Sequence, residues 1–237
     1  MICITMRYAK QMKIVFASKN PHKFTEVESI LSAALQVEEL LPLSAFENAP
    51  EAEEHGATFV ANAEKKAVVY GRWLAQQGHR DYWALAEDAG LEVAALNGFP
   101  GVLSSRLAPT DAERMAAVLS RLEAAASSSE SARLEEETRE EPSWPSEVPS
   151  GSRIARFVSA MALAKGGEVI VTVVGAVCGF IAEEPRGESG FGYDPVFYYP
   201  PYGRTFGECT LEEKRAVSHR SRALAAILVK LKESNNS

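Results

Sequence analysis

Cysteine is scarce in this chain: the 3 present, Cys3, Cys178 and Cys209, stand far apart in a sequence of 237 residues. They form neither a zinc-type spacing nor an even disulfide framework, a usage that fits a reducing cytoplasm. Long apolar runs are also missing. The stretch around Val169–Val177 is too short to cross a bilayer and is rich in β-branched residues, so no membrane span is expected. The first eleven residues contain no apolar h-region, which argues against a signal peptide. Positive charge is not in excess: the formal net charge is −7, a poor match for long nucleic acid, which is bound by clustered Lys and Arg. A small phosphate ligand needs only a few local cations and stays open. The Gly-rich loop of a Walker motif is absent as well.

What the chain does have is apolar substance, 46% of its residues, enough for one sizeable core. Met12-Lys13-Ile14-Val15-Phe16-Ala17 reads as a more natural start than Met1, and Ile14–Ser18 as a buried strand. Asn20 is placed to cap a helix with Pro21 at its first position, and Phe24, Val27, Ile30 and Leu31 follow at helical spacing. Helices are expected over Thr58–Gln77, Asp111–Ala126 and Ser218–Glu233. Tyr82–Ala86 and Leu91–Leu96 read as two short strands, and Phe157–Ala164 with Glu168–Ile181 as a long hairpin turning at Gly166-Gly167. Between them, Ser127–Gly151 is rich in Ser, Glu and Pro and nearly free of aliphatics, the composition of a mobile insertion. Helices and strands are mixed without strict βαβ repetition, so the expected class is α/β with a mixed central sheet and flanking helices, one domain over 12–237.

Four segments carry side chains able to do chemistry, and each has an ordinary structural reading beside it. Ser18-Lys19-Asn20-Pro21-His22-Lys23 joins a strand to a helix N-terminus, where free N–H groups and a lysine attract phosphate; it is equally a plain helix cap. Glu87-Asp88-Ala89-Gly90 closes the first of the two short strands; adjacent carboxylates there suit magnesium or the activation of water, or form an acidic turn. Ser189-Gly190-Phe191-Gly192-Tyr193-Asp194 combines glycines that admit close approach with aromatics that stack on a base, or is a turn with a core aromatic. Thr210 and Glu213 form a capping box, and His219 and Arg220 fall in the first turn of the last helix. Cations there oppose the helix dipole, which makes sense beside a bound anion or beside carboxylates such as Glu212 or Glu213.

Taken in order, these segments resemble the inosine triphosphate pyrophosphatase (HAM1-like) family, which acts on non-standard purine nucleoside triphosphates. Ser18-Lys19-Asn20-Pro21-His22-Lys23 resembles its N-terminal signature, and Glu53-Glu54-His55-Gly56-Ala57-Thr58-Phe59 with Asn62-Ala63 and Lys66-Ala67 its acidic loop and following helix. Glu87-Asp88-Ala89-Gly90-Leu91, Gly98-Phe99-Pro100-Gly101-Val102 to Ser105-Arg106, Gly190–Phe197 and Ser218-His219-Arg220 complete the pattern. The resemblance covers nearly the whole chain from Met12, except the Ser127–Gly151 segment.

This resemblance implies two lobes around a nucleotide-binding cleft, a homodimer, and hydrolysis between the α and β phosphates with Mg2+. It implies that Ser18, Asn20 and Lys23 hold phosphate, in a substrate-binding segment that also includes Lys19, Pro21 and His22, with Lys66 and Arg106 near the phosphates or the cleft. Glu54, Glu87 and Asp88 would serve the metal, and Asp88 would also activate water. Phe191, Gly192, Tyr193 and Asp194 would frame the base, with Ala89, Lys214, His219 and Arg220 completing the substrate site. Two positions depart from the family pattern: Glu87 stands where it has Asp, and Ala89 where it has Ser. The alternatives are a related Maf-like nucleotide pyrophosphatase, against which the Phe191–Pro195 and Ser218–Arg220 segments argue, and a nucleotide sensor that no longer turns over.

Overall fold

The computed structural model describes residues 12–32, 37–127, 132–133, 147–148 and 152–234. Within these residues five α-helices pack around a mixed sheet of seven strands. Strand β1 (Met12–Phe16) lies between β2 (Val37–Pro42) and β3 (Tyr82–Val93) and runs parallel to both. Being central, it reads as a nearly unbroken apolar run. From β3 the sheet continues antiparallel through β6 (Ile154–Lys165), β7 (Glu168–Ile181), β8 (Phe197–Tyr199) and β9 (Arg204–Thr205), giving the order β2-β1-β3-β6-β7-β8-β9. Gly166 and Gly167 both adopt positive φ, 61° and 92°, which lets a two-residue turn close the β6–β7 hairpin with the sheet's own twist. Between α3 (Asp111–Ala126) and β6, the two-residue strands β4 (Ala132–Arg133) and β5 (Glu147–Val148) pair antiparallel, apart from the main sheet. The rest of the Ser127–Gly151 segment beyond Ser127 lies outside the described residues.

The sheet faces take different helices, and the alternation along β3 sorts its side chains between them. Ala84 and Ala86, with Ala160, Ala162 and Ala164 of β6, form a floor of small side chains under α2 (Phe59–Gln76). Leu85, with Met161 and Leu163, faces α1 (Pro21–Leu31) and α5 (His219–Ser234). Further along the strand, Leu91 and Val93 join Phe157 and Val177 beneath α3 (Asp111–Ala126). The short helix α4 (Leu211–Val217) leads into α5 and begins at the Thr210–Glu213 capping box. Among the described residues no helix is long and apolar enough to cross a membrane.

One expectation needs correction. Tyr82–Ala86 and Leu91–Leu96 are not two strands with an acidic turn between them, because Ala84 through Val93 pair without a break against Ala164 through Ala155. Glu87 and Asp88 therefore sit inside a strand rather than at its end, and their side chains leave on opposite faces. The 94–96 segment is a short 3-10 turn.

Candidate active site

On the α2 face, the buried Asp88 carboxylate meets two side chains of α2. Asn62 Nδ2 donates to Asp88 Oδ2 at 2.9 Å, and Lys66 Nζ lies 3.6 Å from Oδ1. The same ammonium donates to Glu54 Oε1 at 3.0 Å, so one lysine bridges the strand acid and the acidic loop. Arg106 fixes that loop from outside, donating to the Glu54 carbonyl at 2.6 Å and to the Val102 carbonyl at 3.0 Å. Burial pushes the Asp88 carboxyl above the usual range, partly offset by Lys66 and the Asn62 hydrogen bond.

On the opposite face, Glu87 is 1% exposed and fully engaged. It accepts from Arg220 Nε at 2.8 Å and Nη2 at 3.1 Å and from Ser159 Oγ at 2.7 Å, and Lys23 Nζ stands 3.1 Å away. Burial alone would raise its carboxyl, but Arg220 and Lys23 outweigh that and hold it well below the usual carboxylate range. The guanidinium of Arg220 also pairs with Glu26 of α1, which accepts from Lys214 Nζ at 2.7 Å as well. Lys214 in turn donates to Asp194 Oδ2 at 2.6 Å, so two cations and three carboxylates form one buried chain. Lys214 of α4 and Arg220 of α5 thus answer to Glu26, Glu87 and Asp194 rather than to Glu212 or Glu213.

Phe191 lies over this chain. Lys214 Nζ is 4.7 Å and Arg220 Cζ 5.7 Å from its ring centroid, and the His22 ring stacks on it at 5.5 Å. Its backbone N–H donates to Asp194 Oδ2 at 2.8 Å. Gly190, at φ 78°, is required there, since a Cβ would run into the Asp194 carboxylate. The Gly192 N–H donates to Asp111 Oδ2 at 2.7 Å. Tyr193 is a post in the core: its hydroxyl donates to the Ser104 carbonyl at 2.9 Å, and burial pushes its pKa up to about 12. His219 is buried and stacked on Phe157 at 4.9 Å; burial and Arg220 hold it well below the usual histidine range. Its Nδ1 has no hydrogen-bond partner among the described residues.

At the turn from β1 into α1, Asn20 Oδ1 accepts the N–H groups of His22 and Lys23 at 2.9 and 3.3 Å, with Pro21 in the first turn. Ser18 Oγ accepts the Asn20 N–H at 3.2 Å, and Lys19 is exposed beside it. The helix start therefore uses its own carboxamide as a cap and aims Lys23 at Glu87. Ala89 is partly exposed on the Glu87 side of the strand.

The structure brings Asp88, Glu54 and Lys66 together, with Arg106 behind them, and separately Lys23, Glu87, Arg220, Lys214, Asp194, His22 and Phe191. It does not bring Glu87 together with Asp88 and Glu54, because neighbouring strand residues face apart. Among the described residues no group of three or more His, Cys, Asp or Glu side chains is arranged to hold a metal. Two residues at the site, Glu26 and Ser159, were not picked out from sequence, and Asn62 was named there only within the helix that follows the acidic loop, without a role. The one available signal was Glu26, an acid beside Val27 on a helix face otherwise repeating apolar residues.

The α/β fold thus sets carboxylates against a lysine on one face of β3 and cations beside an aromatic on the other, and its class follows from its relatives: it is a nucleoside triphosphate pyrophosphatase. The chain belongs to the Ham1 family, whose model matches residues 14–138 and 143–230. The break at 139–142 falls within the Ser127–Gly151 segment. The dITP/XTP pyrophosphatase of Leuconostoc mesenteroides is 37% identical over 224 residues, covering 93% of this chain and 96% of that protein. That of Coxiella burnetii is 38% identical over 227 residues, covering 94% and 98%. Among solved structures, a HAM1 protein from Coxiella burnetii matches with a TM-score of 0.73 at 38% identity, over 94% of this chain and 100% of that one. A nucleoside-triphosphatase, dITP/XTP pyrophosphatase, from Mycobacterium abscessus matches at a TM-score of 0.60 and 40% identity, over 91% and 97%.

Proposed function

We propose that this enzyme hydrolyses non-standard purine nucleoside triphosphates, dITP, XTP and ITP, to the monophosphate and pyrophosphate, removing them from the nucleotide pool. The observation that carries the reading is Asp88, a buried carboxylate with one oxygen engaged by Asn62, beside a second carboxylate and a lysine. The relatives named dITP/XTP pyrophosphatases support the substrate class.

In this reading water attacks the α-phosphorus and gives its proton to Asp88, while the bond to the pyrophosphate oxygen breaks. Lys23 and Lys66, with Ser18, Lys19, Asn20 and His22 at the helix start, meet the phosphates, and Arg106 holds the Glu54 loop beside them. Mg2+ fits the donor set: Glu54 and Asp88 are hard oxygen ligands already sharing one cation, the Lys66 ammonium, and too few to cage a metal alone. Bound there, it would neutralise phosphate charge. Glu87 serves as the anchor of Lys23 and Arg220. The base stacks on Phe191 in a cleft between two lobes, with Gly192, Asp194, Lys214, His219 and Arg220 around it; the unpartnered His219 Nδ1 is free for a ligand. Donors at that place select a 6-keto purine over adenine, because a site built to donate leaves its groups unpaired against an amino group. The enzyme works as a homodimer in the cytoplasm.

Asp88→Asn tests the assignment. Single-turnover hydrolysis of ITP should fall roughly 10²–10⁴-fold, the usual cost of a lost general base. Binding of a non-hydrolysable ITP analogue should persist. Near-normal turnover at saturating magnesium would remove Asp88 from the role, and failure of the unaltered enzyme to release pyrophosphate would favour a sensor.

A further inference from the structure

Asn62 is wholly buried in the second turn of α2, where asparagine is a weak helix former and an unpaired amide would be costly. Both ends of its carboxamide are used. The Gly56 N–H, on the acidic loop, donates to Asn62 Oδ1 at 2.7 Å, and Asn62 Nδ2 donates to Asp88 Oδ2 at 2.9 Å. The orientation is forced, since a backbone N–H only donates and therefore requires the amide oxygen opposite it. Gly56 leaves room for this: a Cβ there would stand 2.6 Å from Asn62 Oδ1. One neutral side chain thus ties the loop that carries Glu54 to the strand that carries Asp88.

We infer that Asn62 is a positioning residue for hydrolysis, holding Asp88 by Oδ2 so that Oδ1 alone faces the incoming water. Lys66 does not duplicate this, because its ammonium is 3.6 Å from Oδ1, beyond a hydrogen bond, and its close partner is Glu54. A second ammonium against Oδ2 would add charge to the acid; an amide fixes the oxygen without doing so. The inference rests on Asp88 being the water-activating base.

The test is a cycle of Asn62→Asp, Asn62→Ala, Asp88→Asn and the double variants, assayed on dITP with magnesium, with thermal unfolding as the check on folding. Asn62→Ala removes the donor without adding charge, whereas Asn62→Asp keeps the shape and the acceptor for Gly56 but sets a second carboxylate against Asp88. Either Asn62 variant should lose roughly 10²-fold in kcat, the scale of a misplaced catalytic group, with KM for dITP within about threefold. In the Asp88→Asn background the same changes should cost nothing further, because the group they orient is already disabled. Equal losses in both backgrounds would make Asn62 merely structural and overturn the inference. So would full turnover of Asn62→Asp beside an inactive Asp88→Asn. An active Asp88→Asn enzyme would instead sink the assignment of the base, a result the cycle reads separately. If Asn62→Ala fails to fold, Asn62→Ser, which likewise adds no charge, carries the same comparison.

Discussion

A guanidinium 2% exposed is stable only if its donors are met, and Arg220 meets them with Glu87 on β3 and Glu26 on α1. The neighbouring His219 shows the other solution to burial, which is to stay neutral. Its unfolded form takes a proton below about pH 6.5, whereas the folded form, held low by burial and by Arg220, resists until far lower. The unfolded state therefore gains protons first, and stability falls as pH falls through 6.5, by about 1.4 kcal/mol for each pH unit. His219→Phe keeps a ring against Phe157 and removes the titration. Urea unfolding between pH 7.5 and 5.5 should show a shallower acid loss for this variant than for the unaltered protein. Equal slopes would mean that another group titrates. Glu87 and Glu26 act lower: both are held below their usual range, so what they contribute is present above about pH 4.3 and lost as pH falls further.

Among the elements, α5 depends on one glycine beneath it. Its first turn crosses β7 at Gly175, where a Cβ would be driven into the His219 carbonyl and the Ala223 backbone, well inside contact distance. Gly175→Ala must therefore push α5 off the sheet, since neither obstacle is a movable side-chain tip. It should cost roughly 1–3 kcal/mol or more in chemical denaturation and weaken ITP analogue binding, because His219 and Arg220 ride on that turn. Unchanged stability would show that the helix start yields freely. Such a contact is not legible in sequence, where Gly175 is one small residue in a β-branched run. Local signals fared better: the Asn20 cap with Pro21, the Thr58 start of α2, the full span of α3 and the Gly166-Gly167 turn all read directly from residue chemistry. The misreading of β3 came from the same rules, because Glu87, Asp88 and Gly90 look like a break when the partners that satisfy them lie far away in sequence. Ser159, Arg220 and Asn62 meet those acids across separations that periodicity does not encode. For that reason the split of the acidic pair between two faces, and the roles of Glu26 and Asn62, became visible only in three dimensions.

At the scale of the whole molecule, the seven-stranded sheet is continuous without β4 and β5, whose pairing stands outside it. Residue pairing is Ala132 with Val148 and Arg133 with Glu147, antiparallel, so the chain leaves and returns at adjacent points. Everything from 134 to 146 is enclosed between those points, and Leu134 and Trp144 are its only large apolar residues among acids, serines and prolines. Such a composition offers little apolar area to a core. The charged and aromatic groups assembled around Asp88 and Phe191 all come from other parts of the chain. Residues 134–146 are therefore predicted to be dispensable. Replacing them by Asn-Gly joins Arg133 to Glu147 through a two-residue turn whose geometry matches an antiparallel pair. The shortened enzyme should unfold within a few degrees of the full chain and turn over dITP within about twofold, since loop shortening changes closure entropy only slowly. Thermal unfolding and pyrophosphate release, measured side by side, decide the matter. Aggregation of the shortened chain would show that Leu134 or Trp144 packs on the molecule, and normal folding with lost turnover would place the segment in the work of the site.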